Sequence, residues 1–229
     1  MQRALFRNGG KRRGAGRKPA GPRARASHEA RPVIKASHAM HITIRAMSDL
    51  PSLRRRETYA AIRAASTAAA KQQAFRLVHL SIQDTHLHLI VEADDKGALA
   101  RGMQSLQISA ARRINKLLGR RGRVFDDRYH LVVVRSPKQM RNVLAYVLGN
   151  WRRHGADRGA APGWLIDPYG SGFAFAGWKE LRQGTALWPA SVTATWLVVK
   201  PPASWLLKTG WERGGGPISV FEVPGKRPD

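Results

Sequence analysis

Two strand-length segments lie next to each other in the middle of the chain and restrict its fold more than any other feature. FRLVHLSIQ (75–83) and HLHLIVEA (86–93) are separated only by Asp84 and Thr85. Two such apolar segments joined by a two-residue turn predict an antiparallel β-hairpin. The sequence therefore predicts a sheet that is built around this hairpin.

The flanking segments predict the rest of the sheet and its helices. HITIRAM (41–47) and RYHLVVVR (128–135) have the composition and alternation of strands. Helical periodicity is present over residues 52–73 and 97–119, and Ser136-Pro137 is typical of the start of a third helix that ends near Arg153. The order strand, helix, strand, strand, helix, strand, helix predicts an α+β fold, a ferredoxin-like antiparallel sheet with one added helix.

The hairpin carries a histidine pair whose spacing predicts a shared face. Alternate side chains of a strand point to the same side, so His86 and His88 lie opposite the apolar set. That set is Leu87, Leu89, Val91 and Ala93. Two neighbouring imidazoles can hold one cation, although the pair alone is also consistent with ordinary surface histidines.

The last predicted helix carries a tyrosine and an amide one turn apart. Tyr146 and Asn150 are at positions i and i+4, on the side away from the apolar stripe. The stripe consists of Met140, Val143, Leu144, Val147, Leu148 and Trp151. Considered alone, this helix favours a tyrosine that fills a second, smaller packing contact over a catalytic one.

The charge of the chain predicts a polyanionic partner. Forty Lys and Arg stand against fifteen Asp and Glu, which gives a formal net charge of +25. Nucleic acid offsets such an excess through phosphate contacts. No cysteine is present, which excludes disulfides and thiolate metal sites. The absence of long apolar runs and of a secretory signal predicts a cytoplasmic, nucleoid-associated protein that has no membrane partner.

The composition divides the chain into three predicted regions. Residues 1–38 form a basic arm, residues 39–155 the periodic domain, and residues 156–229 a Trp-rich extension expected to pack on the core or on DNA. Within the arm, GAGRKPAG is similar to minor-groove AT-hooks, with Arg17 and Lys18 as groove contacts. A tail that binds phosphates without specificity is an equally good interpretation.

These elements together resemble the HUH single-tyrosine transposases of bacterial insertion sequences, nearest their REP-associated branch. The resemblance rests on HLHLIVEA, on GRRGRVFDDRYHLVVVRSPKQMRNVLAYVLGN, and on the Gly-Arg-Lys arm. It covers roughly residues 39–155. Many relatives have Pro directly after the Tyr-x-x-x-Asn motif, where this chain has Trp151.

The resemblance implies a DNA-nicking and DNA-joining enzyme that acts on single-stranded, hairpin or palindromic repeat DNA. Tyr146 is implied as the nucleophile that forms a 5′-phosphotyrosine link. His86, His88 and Asn150 are implied as ligands of Mg²⁺ or Mn²⁺. The expected hairpin contacts are the basic residues Arg112, Arg113, Lys116, Arg120, Arg121 and Arg123. Whether the protein acts as a monomer or as a homodimer stays open.

Several alternatives are weighed against this hypothesis. A rolling-circle initiator or relaxase shares the chemistry, but the third histidine is missing and the Tyr-x-x-x-Asn spacing disagrees. A domesticated regulator would bind DNA without cutting it. An RNA-recognition module would need aromatic residues on its central strands. Within the site, Tyr129 is the competing nucleophile, and His79 with His130 is the competing metal pair.

Overall fold

The structure is a computed structural model that describes residues 32–126, 128–191, 195–223 and 225. Four strands form one antiparallel sheet in the order β2-β3-β1-β4. Their bounds are β1 Ala39–Arg45, β2 Phe75–Ile82, β3 His86–Ala93 and β4 His130–Val134. This order confirms the predicted ferredoxin-like, α+β fold.

Three helices complete the domain. They are α1 Arg56–Ala70, α2 Lys96–Leu117 and α3 Pro137–Arg153. The Asp95 side chain caps α2 by accepting from the Ala98 N–H, and the Ser136 side chain caps α3 by accepting from the Gln139 N–H. Two short helices follow in the extension, α4 Lys179–Arg182 and α5 Trp205–Lys208.

The helix predicted to begin at residue 52 begins four residues later, at Arg56. The preceding residues are held by contacts outside the helix. The Leu53 N–H donates to the Asp84 carbonyl in the hairpin turn, and Arg54 forms a bidentate ion pair with Asp167 at 2.8 and 2.9 Å. These tertiary contacts fix the segment in a non-helical conformation.

The first face of the sheet is the one that carries Leu87, Leu89, Val91 and Ala93 of β3. α1 and α2 cover it, and its side chains from β1, β2 and β3 are fully or almost fully buried, whereas Leu131 and Val133 of β4 are partly buried. The other strands add aliphatic and aromatic side chains, namely Met40, Ile42, Ile44, Phe75, Leu77, Leu80 and Ile82. This face is the aliphatic core that the alternation in HLHLIVEA predicts.

The second face carries His86, His88, Ile90 and Glu92, and it is also largely covered. α3 and the extension pack on it, with Trp178 and Trp211 buried in the same cluster. Glu92 is completely buried, and its carboxylate accepts from the backbone N–H groups of Ala203 and Ser204 at 2.6 and 2.8 Å. At the end of this face near His86 the side chains are partly open, since His86 is half-buried and Arg45 is exposed.

The extension also covers the edge of the sheet at β2. The Ile82 N–H donates to the Tyr169 carbonyl, the Ser171 N–H to the Leu80 carbonyl, and the Lys200 N–H to the Leu77 carbonyl. These bonds satisfy backbone groups that an exposed edge strand would present. Within the part of the chain that the structure describes, no helix has the length and apolar character needed to cross a membrane.

Candidate active site

The candidate site lies between the second face of the sheet and α3, with His88 at its centre. His88 is buried, and its Nδ1 lies 3.2 Å from His41 Nε2 and 3.2 Å from Thr43 Oγ1 on β1. Its other ring nitrogen, Nε2, lies 3.5 Å from the hydroxyl oxygen of Tyr146 on α3. His88 therefore joins the strand that was predicted to carry a metal site to the helix that was predicted to carry the nucleophile.

His86 stands beside His88, as the strand spacing requires. The two ring centroids are 4.6 Å apart, and Thr85 Oγ1 lies 3.2 Å from His86 Nδ1. The ring of His154, just after α3, lies 5.9 Å from that of His86. His86 is half-buried and forms the open end of the site.

Tyr146 on α3 and His154 just after this helix both approach the histidines of β3. The Tyr146 ring lies 5.0 Å from the His88 ring, and His154 approaches His86. Asn150 lies between Tyr146 and His154 in the sequence and, by helical spacing, on the same side of the helix. This side of α3 therefore faces the histidine pair.

Asn150 is completely buried, whereas the helical pattern placed it on a polar side. The difference arises because the sheet and the extension enclose α3 between them. Neither its Oδ1 nor its Nδ2 has a hydrogen-bond partner among the described residues. An unpaired buried amide is costly, so these atoms are suited to a ligand that the protein alone does not supply.

The lowered pKa values of His41, His86 and His88 favour the neutral form of these three histidines. Burial lowers the pKa of His88 to about 3, and the neighbouring His86, His41 and His154 add to the effect. Burial and His130 lower the pKa of His41 to about 4, and burial and His154 also lower the pKa of His86. Neutral imidazole keeps the lone pair with which histidine binds cations.

The donor set fits a divalent cation. Two neutral imidazoles and one amide oxygen form a mixed nitrogen and oxygen set of the kind that Mn²⁺ accepts, and Mg²⁺ accepts less readily. Among the described residues, no group of three or more His, Cys, Asp or Glu side chains is placed to hold a metal. Asn150, whose buried amide oxygen has no partner among the described residues, offers an oxygen donor of another type.

The competing residues lie elsewhere. His79 is buried on β2, where its Nδ1 lies 3.1 Å from Ser171 Oγ beneath the extension. His130 lies on β4, so that β3 and β1 separate the two histidines. Tyr129 packs against the first-face core, across the sheet from His88. His79 and His130 are therefore not adjacent, and Tyr129 lies on the other face of the sheet from the histidine pair.

Three residues of the site were not predicted from the sequence, namely His41, His154 and Arg45. The alternation in HITIR places His41, Thr43 and Arg45 on one face, and the register pairs Thr43 with His88 and Arg45 with His86. Arg45 is exposed at the open end of the site. The alternation was a usable signal, but the register that brings β1 beside β3 is not visible in the sequence.

The predicted DNA contacts divide into two groups. Arg112, Arg113 and Lys116 are exposed on α2, on the first-face side and away from Tyr146. The basic loop that follows leads back to the site, because the Met47 N–H donates to the Val124 carbonyl and the Asp126 N–H to the Arg45 carbonyl. In this loop Arg121 and Arg123 are exposed, whereas Arg120 pairs with Asp49 at 3.1 Å. Arg17 and Lys18 lie outside the described residues.

Comparison with solved structures supports the fold. A REP-associated tyrosine transposase bound to a REP hairpin is 15% identical with a TM-score of 0.51, and the match covers 77% of this chain and 99% of that chain. A candidate transposase from Deinococcus radiodurans R1 is 14% identical with a TM-score of 0.36, and the match covers 60% of this chain and 100% of that chain. None of the curated proteins matches this chain.

A family model identifies the protein more directly than these structures do. Residues 35–150, about half of the chain, match the family described as Transposase IS200 like. The matched region begins just before β1 and ends at Asn150, so it contains every residue of the candidate site except His154. The protein belongs to the IS200-like transposase family, a family of DNA-processing enzymes.

Proposed function

We propose that this protein nicks and joins single-stranded DNA with Tyr146 as the nucleophile. One observation carries the proposal: the Tyr146 hydroxyl lies 3.5 Å from His88 Nε2, next to His86 and one helical turn from the unpaired amide of Asn150. A hydroxyl nucleophile, neutral imidazoles and an unsatisfied oxygen donor are the parts that metal-assisted phosphoryl transfer requires.

His86, His88 and Asn150 would hold the divalent cation. When bound there, Mg²⁺ or Mn²⁺ would polarise a phosphate oxygen and help to orient the scissile group. The protein itself contributes a dry, buried His88 whose orientation is fixed by hydrogen bonds. Arg45 at the open end supplies a positive charge beside the position that a backbone phosphate would occupy.

The proposed step conserves the energy of the phosphodiester bond. The Tyr146 oxygen attacks phosphorus and loses its proton to solvent, while the bond from phosphorus to the 3′ oxygen breaks. The departing oxygen takes up a proton and becomes a 3′-OH, and the 5′ phosphate stays on Tyr146. Because the link is a phosphodiester, the 3′-OH of another strand can reverse the step without ATP, which is strand transfer.

The distribution of basic residues supports a folded single strand, such as a hairpin repeat, as the substrate. The exposed side chains of Arg112, Arg113 and Lys116 continue into the loop with Arg121 and Arg123, which ends beside Arg45. We call these six residues the basic track. A stem on α2 would reach Tyr146 by following the track around the end of the sheet. We propose REP-like hairpins as the substrate class, in line with the partner of the structural relative.

The basic arm is proposed to bind further phosphates, with Arg17 and Lys18 in a minor groove. Residues 1–31 contain ten Lys and Arg. Deleting residues 1–31 leaves the buried Ile34 in place and is therefore preferable to a longer deletion. The log–log salt dependence of hairpin binding should then fall by about 0.7–0.9 for each phosphate that the arm no longer neutralises. An unchanged slope would show that the arm does not touch the DNA.

The rival function is a regulator that binds hairpins without cutting them. The assembled site favours retained activity, because a binding module needs no tyrosine placed against a neutral histidine pair. The test is incubation of the protein and Mn²⁺ with single-stranded hairpin DNA labelled at either end. Activity would release a strand that ends in 3′-OH and leave the other piece bound to protein through its 5′ end. Binding without cleavage at any hairpin from the native locus would favour the regulator.

A further inference from the structure

The orientation of His88 depends on which of its ring nitrogens carries the hydrogen. A neutral imidazole has one N–H and one lone pair. On the Nδ1 side lie His41 Nε2 and Thr43 Oγ1, both at 3.2 Å, and on the Nε2 side lies the Tyr146 hydroxyl at 3.5 Å. If the hydrogen is on Nε2, this nitrogen cannot bind a cation and points an N–H at the nucleophile.

We propose that His41 is the positioning residue that fixes His88 in the productive form. Its Nε2 accepts the hydrogen of His88 Nδ1, which leaves a lone pair on His88 Nε2, the nitrogen that lies next to Tyr146 and that would bind the cation. This inference rests on the proposed function for the identity of the site, and it adds a residue outside the set of metal ligands. Metal-binding histidines commonly donate their second ring N–H in this way.

His41 can discriminate between the two forms of His88, whereas Thr43 cannot. A threonine hydroxyl rotates and can donate or accept, so it satisfies either form of the imidazole. His41 presents Nε2 either as an acceptor or as a donor, and as an acceptor it stabilises only the form with hydrogen on His88 Nδ1.

The His41 ring is also held in place. Its centroid lies 5.3 Å from that of His88 and 5.8 Å from that of Tyr146, so it neighbours both the proposed metal ligand and the nucleophile. The strand register fixes its position, because its neighbour Thr43 pairs with His88 itself.

The first test observes the hydrogen directly. Long-range ¹H–¹⁵N correlation spectra of ¹⁵N-histidine-labelled protein, recorded at neutral pH without metal, distinguish the two neutral forms of each histidine. We expect His88 with hydrogen on Nδ1 and His41 with hydrogen on its own Nδ1. His88 with hydrogen on Nε2, or His41 as the donor, would overturn the proposal.

The second test measures Mn²⁺ affinity by electron paramagnetic resonance. His41→Phe keeps an aromatic ring but removes the acceptor, and it should weaken Mn²⁺ binding about 10–100-fold. His41→Gln restores an acceptor oxygen and should lose less affinity. His38→Ala, a histidine substitution in the segment before β1, should bind as the wild type does. Equal affinity of His41→Phe and wild type would contradict the proposal.

The two tests separate this inference from the proposed function. A wild-type protein that binds no Mn²⁺ would contradict the metal part of the proposed function, whereas the spectra would still decide the form of His88. If His41→Phe fails to fold, as shown by circular dichroism, the wild-type spectra and the affinity of His41→Gln decide the matter.

Discussion

The first face of the sheet is closed, whereas one end of the second face is open. Both faces are built by the same strands, and on β3 they alternate from one residue to the next. Leu87 is completely buried under α1 and α2, and its neighbour His86 is half-buried at the open end of the site. On one strand, the side chains that point to the first face therefore stabilise the fold, and those that point to the second face form the candidate site.

Alanine substitutions on the two faces of β3 should differ most in their effects, because one should reduce stability and the other should abolish cleavage. Leu87→Ala leaves a cavity in the aliphatic core and should lower the free energy of unfolding by about 2–5 kcal/mol. His86→Ala removes a half-buried side chain and should change it by about 1 kcal/mol or less, while cleavage of hairpin DNA is lost. Urea unfolding and a gel-based cleavage assay on both variants measure this contrast. A cleavage-competent His86→Ala protein would break the assignment of chemistry to the second face.

Acid should destabilise the protein through its second face. The pKa of His41 and that of His79 are lowered to about 4, and that of His88 to about 3, mainly by burial. Between pH 6.5 and 4 the unfolded chain binds more protons than the folded one. Stability is therefore fully present above pH 6.5 and is lost as the pH falls toward 4, by up to about 1.4 kcal/mol per pH unit for each histidine.

His79 allows this pH effect to be measured away from the site. His79→Gln keeps a neutral polar side chain next to Ser171. The unfolding free energy of this variant should depend less steeply on pH, by the contribution of one histidine. Urea unfolding from pH 7 to pH 4.5, with a chelator present, gives the slope for both proteins. Equal slopes would mean that His79 takes up its proton in the folded state.

Features that follow from the local sequence pattern could be predicted from the sequence. Features that depend on contacts between distant parts of the chain could not. The bounds predicted for β3 agree with the structure, as do the opposite orientation of its histidines and the Ser136-Pro137 helix start. His41 was missed because it meets His88 across 47 positions of sequence, through strand register alone. Asn150 is completely buried because the sheet and the extension enclose α3 between them, and the place where the extension docks has no local signal in the sequence.

The two sides of the sheet should also differ in function, because the α2 side should contribute to DNA binding and the Tyr146 side to cleavage. The double variant Arg112→Ala, Arg113→Ala removes two exposed cations from α2, so hairpin binding should weaken and its salt slope should fall by up to about 0.9 for each phosphate that is no longer neutralised. The rate of cleavage at saturating DNA should stay unchanged, because Tyr146 lies on the other side. Lys208→Ala, Arg213→Ala removes two exposed cations of the extension and serves as the charge-matched control.

A smaller salt slope in that control than in the α2 variant would contradict the assignment of the stem to α2. Slower cleavage by the α2 variant at saturating DNA would show that the two sides do not act separately.

The central claim is that the tyrosine facing the histidine pair becomes joined to DNA. Protein, Mn²⁺ and hairpin DNA are incubated, the adduct is isolated under denaturing conditions, and the modified peptide is identified by mass spectrometry. We predict a nucleotide on Tyr146, no adduct from Tyr146→Phe, and a normal adduct from Tyr129→Phe, whose side chain packs on the first face. A nucleotide on Tyr129, or an adduct that persists in Tyr146→Phe, would contradict the account.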